Sequence, residues 1–353
     1  MVPPGVGPAA AKCQNGRALP RRPCLRPPPG IVTVVDMYFT RTGFAVGGVA
    51  LVVSASAIAQ QGASSQETPA FHAEVQVVLH SVAVVDRDGE PVQGLRRSDF
   101  TVYEDDEPQE LSVFLSPDDS PLDVALVIDS SASLFHYARL VRAAGKSFLQ
   151  QLEPLDCVYL LPFNDEIGPG VWDRGLLLPA KMDGIFMRGG TALYDALIHG
   201  MEVLNRSAES VPSETGCGKP GTTSEPVRPD RRRAVVLLTD GADQNSQRRY
   251  DEVLDRARES AIPIFPVVNG EARNDDRLRL ILNRLAGETG GTIVDAARPE
   301  ELPKAFADVV VMLRASYLIG YMPPEGDENV REHSVRVRSR PGFRLIHRPT
   351  YWR

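Results

Sequence analysis

The sequence predicts an α/β protein in which a doubly wound, mostly parallel sheet is joined to a small all-β module. From residue 121 to residue 315, apolar strand-like runs alternate with segments of helical period, as in parallel sheets covered by helices. On both sides, at 71–118 and 316–353, short segments alternate polar and apolar residues between Gly-, Asp- and Pro-containing turns. We therefore expect one larger domain placed between the two halves of a smaller β module.

The N-terminal segments carry a targeting pattern instead of a fold pattern. Residues 1–36 contain eight Pro and five Lys or Arg, so we expect them to be disordered and to result from a start codon assigned too early. Residues 37–59 run from a basic start at Met37 through an uncharged stretch to a small-x-small site, which is the order of a secretory signal peptide. Residues 60–70 are a predicted linker, and the protein is expected to be exported, periplasmic or secreted.

A membrane anchor is the alternative for residues 37–59. The apolar run is shorter than the roughly 20 residues that a span needs, and Gly and Ser dilute it. We therefore expect membrane contact only through this segment if it stays uncleaved.

Charge argues against a nucleic-acid partner. The chain has 39 Lys and Arg against 46 Asp and Glu, a net charge of -7. Without residues 1–59 it retains 33 basic and 45 acidic residues, a net charge of -12. The basic cluster Arg231–Arg233 is too short to form the positive surface that nucleic-acid binding requires.

Each element of the central domain has a local signal. Continuous apolar runs predict strands buried on both faces, at 124–128, 158–163, 234–238 and 264–268. Shorter strands are predicted near 176–178 and at 292–294. Apolar residues at helical spacing predict helices over 134–152, 192–204, 250–260, 276–286 and 299–313.

One insertion interrupts this order. Residues 207–231 are rich in Pro, Gly, Ser and Thr and predict a loop at the N-terminal edge of the sheet. Cys217 lies in this loop, and Cys157 lies in an apolar strand-like run. The sequence leaves open whether these two cysteines form a disulfide.

Oxygen-bearing side chains at the ends of two predicted strands and at the start of one predicted helix are the candidates for the chemistry of the chain. Asp129, Ser131 and Ser133 come directly after the first buried strand, Thr191 opens the second long helix, and Asp240 follows another strand. Ligands of parallel sheets collect at the carboxyl ends of the strands, so these five side chains are expected to converge. Two carboxylates and three hydroxyls suit Mg²⁺, with Mn²⁺ or Ca²⁺ possible, and disfavour Zn²⁺.

Such a site has an open position that an Asp or Glu of a protein partner would fill. Each motif also has a purely structural explanation, because Ser131, Ser133 or Thr191 can cap a helix and Asp240 can belong to a turn. His136 and the nearby acids are weaker candidates. The acids are Asp165, Glu166 and Asp243.

Three motifs resemble the metal-ion-dependent adhesion site of von Willebrand factor type A (vWA) domains, which have a Rossmann-like fold: Asp129-x-Ser131-x-Ser133, Gly190-Thr191 and Thr239-Asp240-Gly241. The resemblance spans residues 121–315. It implies that the hydroxyls of Ser131, Ser133 and Thr191 contact the ion and that Asp129 and Asp240 hold its waters.

The flanking segments are similar to a bacterial exported group called von Willebrand factor A-related proteins. The similar segments are residues 84–104 and Tyr317-Leu-Ile-Gly-Tyr321-x-Pro. This resemblance does not identify what the chain binds.

The expected function is therefore a non-enzymatic binding module that engages an acidic residue of a protein partner through a divalent ion. The alternative is a metal-dependent hydrolase that uses the same ion as a Lewis acid, and it would need a positioned base. A third possibility, an assembly factor that works with an ATPase, fits poorly with an export signal.

Overall fold

A computed structural model of the chain describes residues 31–34, 75–117, 120–208, 217, 231–324 and 332–352. The predicted signal segment at 37–59 and the linker at 60–70 lie outside the described residues, as does most of the insertion at 207–231. Within the described residues, no helix has both the length and the apolarity needed to cross a membrane.

The described elements follow one another in this order along the chain. The strands are β1 Ile31–Val34, β2 Val75–Val85, β3 Thr101–Glu104, β4 Glu107–Gln109, β5 Leu111–Leu115, β6 Leu122–Asp129, β7 Cys157–Phe163, β8 Val171–Arg174, β9 Arg232–Thr239, β10 Ile264–Val268, β11 Val294–Asp295, β12 Ser316–Tyr321, β13 Glu332–Arg338, β14 Arg344–Ile346 and β15 Thr350–Trp352. The α-helices are α1 Ala138–Gln150, α2 Leu193–Ala208, α3 Tyr250–Ser260, α4 Asp276–Thr289 and α5 Leu302–Arg314. A 3-10 helix at Ala132–Tyr137 leads into α1.

The central domain is a six-stranded sheet in the order β11-β10-β9-β6-β7-β8, parallel except for the edge strand β8. All eight residues of β6 are buried, as its continuous apolar run predicts. Alternate residues of β6 contact opposite helix layers: Val124 and Leu126 pack with α1 and α5, and Ala125 and Val127 pack with the layer of α2, α3 and α4. This arrangement confirms the predicted doubly wound α/β class.

Some predicted elements of this domain differ from those observed. The short strand expected near 176–178 lies earlier in the chain, at Val171–Arg174, and a 3-10 turn covers Gly175–Leu177. Leu176 and Leu177 are exposed, so their apolar character does not mark burial in a sheet. The helix predicted over 134–152 is split between the 3-10 helix and α1.

The β module is built from both ends of the described chain. In one of its antiparallel sheets, β12 lies between β2 and β5, and β14 also pairs with β2. The second sheet has the order β15-β13-β3-β4. Side chains from the two sheets share one apolar core, which includes Val82, Val102, Val335 and the rings of Tyr317 and Tyr321. The additional all-β module predicted from the flanking segments is therefore present.

One strand departs from the sequence-based expectation. Residues 1–36 were expected to be disordered, but Ile31–Val34 forms β1, which pairs antiparallel with Val75–Val78 of β2. The segment Ile-Val-Thr-Val consists entirely of β-branched residues, which favour strands, and the edge of β2 offers it a hydrogen-bonding partner.

Arg232, the first residue of β9, contacts both segments that connect the central domain to the β module. Its side chain is buried. The guanidinium donates hydrogen bonds to the carbonyl oxygens of Pro117 and Ser120, which precede β6, and of Leu313 and Ser316, at the end of α5 and the start of β12. One cation therefore satisfies four backbone acceptors where the modules meet.

A disulfide connects the predicted insertion to the central sheet. Cys157 and Cys217 form a disulfide with their Cα atoms 5.8 Å apart, across 60 residues of sequence. Because Cys157 begins β7, Cys217 lies at the amino edge of the parallel strands. The insertion is thus tied to the edge opposite to the one where β6 and β9 end.

Candidate metal centre

Three loops meet at the carboxyl edge of the parallel sheet. The loop after β6 and the loop before α2 are joined by two backbone hydrogen bonds, Ala132 N to Gly189 O at 3.0 Å and Arg188 N to Ser130 O at 2.8 Å. The loop after β9 joins them because its backbone donates to Thr191 O from residues 244 and 245. The three predicted motifs therefore belong to one site.

Four of the five predicted side chains form a continuous hydrogen-bonded set. Ser131 N donates to Asp129 Oδ1 at 2.8 Å, and the Oγ atoms of Ser131 and Ser133 are 3.0 Å apart. Ser133 Oγ donates to Asp240 Oδ1 at 2.9 Å. Since Asp129, Ser131 and Asp240 are buried while Ser133 is exposed, Ser133 is the member of the set that opens to solvent.

Thr191 is the fifth predicted residue, and it is buried on the neighbouring loop. Its backbone N donates to Asn245 Oδ1 at 3.2 Å. Among the described residues its hydroxyl makes no hydrogen bond to the other four side chains. The structure therefore brings Thr191 to the site through its backbone, and a direct role for its hydroxyl stays a prediction.

Asp129 is held in a low-dielectric environment. Burial raises the pKa of Asp129 to about 6, and the nearby carboxylate of Asp240 acts in the same direction. The Thr239 hydroxyl lies 3.0 Å from Asp129 Oδ2 and supports the carboxylate from the adjacent strand. The motif Thr239-Asp240-Gly241 does not by itself predict this contact. The signal that could have predicted it is the position of Thr239 as the last residue of β9, the strand that pairs with β6.

Two glycines before Thr191 allow the loops to approach closely. Gly189 has a φ of +68°, a conformation that side chains disfavour. A Cβ at Gly189 would overlap the Asp165 carboxylate, and one at Gly190 would overlap Asn245 Oδ1. Any larger residue at Gly190 would therefore displace the side chain that binds Thr191 N.

Asn269 is a buried polar residue at this edge that sequence reasoning missed. It follows β10, and its backbone N donates to Thr239 O at 3.4 Å, which places it beside Asp240. Its side-chain amide is buried, and neither Oδ1 nor Nδ2 has a hydrogen-bond partner among the described residues. An unsatisfied buried amide is costly in a dry site, whereas a hydrated ion would bring water to it.

The weaker candidates take other positions. His136 is exposed, and its ring meets the Phe135 ring edge-on at 5.7 Å. Glu166 lies 4.0 Å from Arg188, with both side chains exposed. Asp243 has a structural role, because its Oδ1 accepts hydrogen bonds from Tyr194 N and Ser246 Oγ at the start of α2.

Large exposed aromatic residues lie in the same loops. The side chains of Phe135 and Phe186 are 65% and 71% exposed, and Tyr137 is 39% exposed. Phe135 and Tyr137 follow Ser133 in the 3-10 helix, and Phe186 precedes Thr191 in its loop. We call these three residues the aromatic rim. Solvated aromatic side chains beside a polar site are typical of interaction surfaces.

The donor set fits a hard divalent cation. The four hydrogen-bonded side chains supply only oxygen atoms as ligands. Two of the four side chains are buried carboxylates, which favour a nearby positive charge. Asn269 adds a polar group that is unsatisfied within the described residues.

Comparison with known proteins finds distant structural similarity only. No protein-family model matches the chain, and neither does any curated protein. A von Willebrand factor type A structure from Catenulispora acidiphila aligns with a TM-score of 0.42 and 12% identity, over 80% of this chain and 75% of that one. Proximal thread matrix protein 1 from the mussel byssus aligns with a TM-score of 0.41 and 15% identity, over 56% of this chain and 49% of that one.

A third structure is the vWF domain of the type V pili tip protein Mfa5 from Porphyromonas gingivalis. It aligns with a TM-score of 0.39 and 13% identity, over 54% of this chain and 94% of that one. The chain thus spans about half the length of the mussel protein but nearly all of the Mfa5 domain. At these identities the likeness concerns the fold alone.

Proposed function

We propose that the chain is an exported, non-enzymatic binding module that holds a divalent cation, Mg²⁺ first of all, and uses it to bind an acidic residue of a protein partner. The residues that would hold the ion are Asp129, Ser131, Ser133, Thr191 and Asp240. One observation carries the proposal. Ser133, an exposed residue, is hydrogen-bonded through its Oγ to both Ser131 and the buried Asp240, so a set of buried oxygen ligands extends to the surface.

The uncharged hydroxyls of this set leave a bound ion able to accept a further oxygen ligand. Asp129 and Asp240 offset the charge of a divalent ion, while the hydroxyls of Ser131, Ser133 and Thr191 are neutral. Neutral ligands leave the ion attractive to one more oxygen. When bound, the cation supplies an electrophilic centre that accepts a carboxylate from outside, and this chain's own residues position that centre.

The aromatic rim supports a protein partner over a free small anion. Phe135 and Phe186 leave apolar surface in water on the loops that carry Ser133 and Thr191. An isolated carboxylate would leave this surface uncovered, but a polypeptide with an apolar side chain beside its Asp or Glu would cover it. Arg142 contributes a cation 5.9 Å from the centre of the Phe186 ring.

The hydrolase alternative needs a base held beside the reacting water. His136 is the nearest histidine in sequence to the site, yet it is exposed, and within the described residues no hydrogen bond orients its ring. The site residues themselves are carboxylates and hydroxyls that the proposal assigns to the ion. Binding without turnover is therefore the function that the arrangement favours.

Selection from a random peptide library tests the proposed function. In Mg²⁺, we expect the immobilised protein to recover peptides with Asp or Glu at one fixed position and an apolar residue nearby. Exchanging that acid for its amide, or adding a chelator, should abolish binding. Phe186→Ala should weaken binding roughly tenfold while leaving the response to Mg²⁺ intact.

The same assay can also refute the proposed function. Peptides that show no acidic preference, or that bind equally well with a chelator, would refute ion-mediated capture. Metal-dependent hydrolysis of the selected peptides would favour the enzyme instead.

A further inference from the structure

A second cluster of potential metal ligands lies in the β module and shares no residue with the sheet-edge site. His333 Nδ1 lies 2.9 Å from Asp105 Oδ2 and 3.3 Å from Glu104 Oε1. His333 and Glu104 are almost completely buried, with side-chain exposures of 2% and 4%, whereas the Asp105 side chain is 45% exposed. One imidazole nitrogen therefore faces two carboxylates, and one side of the cluster is open to solvent.

Backbone conformation brings the two consecutive acids together. In a continuous strand, Glu104 and Asp105 would point to opposite faces of the sheet. Asp105 instead has a φ of 48°, which ends β3 and allows both carboxylates to contact the same imidazole. The result is a nitrogen and two oxygens, one from each side chain, that all lie within 4.8 Å of one another.

Neighbouring groups hold these ligands in place. Asp105 Oδ1 accepts hydrogen bonds from Ser334 N at 2.9 Å and from Ser334 Oγ at 3.3 Å, which orients the other carboxylate oxygen toward His333. The Tyr351 ring stacks on the imidazole with a centroid distance of 5.2 Å. Such support from surrounding residues is what orients metal ligands in protein sites.

A cation can be shared by all three groups, whereas a proton on the imidazole serves one carboxylate at a time. The hydrogen of a protonated Nδ1 is directed at one acceptor, whereas an ion bound at that nitrogen can be coordinated by both carboxylates. Imidazole nitrogen with carboxylate oxygen is a donor set that Zn²⁺ and similar transition metals accept. It differs in kind from the all-oxygen set at the sheet edge.

We propose that Glu104, Asp105 and His333 form a second metal site that binds a zinc-type transition-metal ion. The site is independent of the proposed function at the sheet edge. Glu104 and Asp105 belong to the N-terminal part of the β module and His333 to its C-terminal part, 228 residues after Asp105. The ion would cross-link the N-terminal and C-terminal parts of the β module and so stabilise it.

Equilibrium dialysis of the full chain against Zn²⁺ in excess Mg²⁺, followed by elemental analysis, tests this site. We expect the wild-type protein to bind a zinc ion that His333→Gln does not bind. His136→Gln, which removes an exposed imidazole elsewhere, should bind as much zinc as the wild type. Replacing Zn²⁺ with Co²⁺ should give a visible absorption band in the wild type that is absent from His333→Gln.

A second variant covers the case in which His333→Gln does not fold. The partly exposed Asp105→Asn keeps an oxygen that can accept from Ser334, and it should weaken zinc binding roughly tenfold or more. If wild-type protein binds no zinc, or if the folded variants at 333 and 105 bind it as tightly as the wild type, the three side chains form only a hydrogen-bonded cluster and the proposal is wrong. Peptide capture at the sheet edge should persist when zinc alone is removed.

Discussion

Arg232→Met is expected to destabilise the protein by about 4 kcal/mol, the largest stability effect that we anticipate for a single substitution. Methionine fills much of the same space but cannot donate hydrogen bonds. Four backbone carbonyl oxygens, of Pro117, Ser120, Leu313 and Ser316, would then lose their buried cationic donor. Leaving buried acceptors unsatisfied costs about 1–3 kcal/mol for each group, and partial access of water reduces the total.

Urea unfolding measured by circular dichroism gives this free energy, and the melting temperature should fall by about 10 °C. Arg298→Met is the matched control. The Arg298 side chain is 75% exposed and pairs with Glu301 at the surface, so its loss should leave the unfolding midpoint unchanged. A loss of less than about 1 kcal/mol in Arg232→Met would show that the junction between the modules does not depend on this guanidinium.

Asp129→Asn is expected to remove the stabilising response to Mg²⁺ entirely. An ion that binds only the folded protein stabilises it by about 2.7 kcal/mol at 100 times its Kd, so the wild type should melt at a higher temperature in Mg²⁺ than in chelator. The variant should melt at the same temperature in both. Asparagine retains an oxygen that can accept from Ser131 N and an amide that can contact Thr239 Oγ1, so the local hydrogen bonds can persist.

Without metal, Asp129→Asn is not expected to lower the stability of the folded protein. In chelator at neutral pH, the variant should be at least as stable as the wild type, because it no longer buries a carboxylate beside Asp240. Loss of the Mg²⁺ response together with undiminished stability in chelator distinguishes a metal ligand from a residue that only stabilises the fold. Glu166→Gln, which removes an exposed acid, should respond to Mg²⁺ as the wild type does. A variant that unfolds in chelator, or that still responds to Mg²⁺, would contradict the assignment of Asp129.

Local patterns in the sequence predict most of the central domain because its strands are buried on both faces. The residues of β6 are apolar from Val124 to Ile128 without interruption, which is typical of a strand buried on both faces. The same patterns failed where apolar residues are exposed. Leu176 and Leu177 mimic a strand in the sequence, but they lie on a solvent-facing turn.

Long-range contacts lie outside what these patterns indicate. Arg232 belongs to a basic run that suggests surface charge, yet it is buried against carbonyl groups that precede and follow the central domain. The bond between Cys157 and Cys217 depends on where an insertion returns to the sheet, which composition does not reveal.

The sequence likewise predicts some residues of the candidate site and not others. Asp129, Ser131, Ser133 and Asp240 are detectable because each follows a predicted strand, and the structure joins them by hydrogen bonds. Asn269 also follows a strand, but a single Asn has no spacing that marks it as a ligand or a water partner. The Glu104, Asp105 and His333 cluster combines residues from distant parts of the sequence, so only the folded β module reveals it.

Anomalous X-ray diffraction from crystals soaked in Mn²⁺ is the sharpest test of the metal site, because it locates the ion without requiring knowledge of the partner. We expect an anomalous peak at the carboxyl edge of the sheet, in contact with the hydroxyl oxygens of Ser131, Ser133 and Thr191, and no such peak in Asp129→Asn. Absence of a peak at this edge in the wild type, or a peak that contacts none of the three hydroxyls, would contradict this expectation.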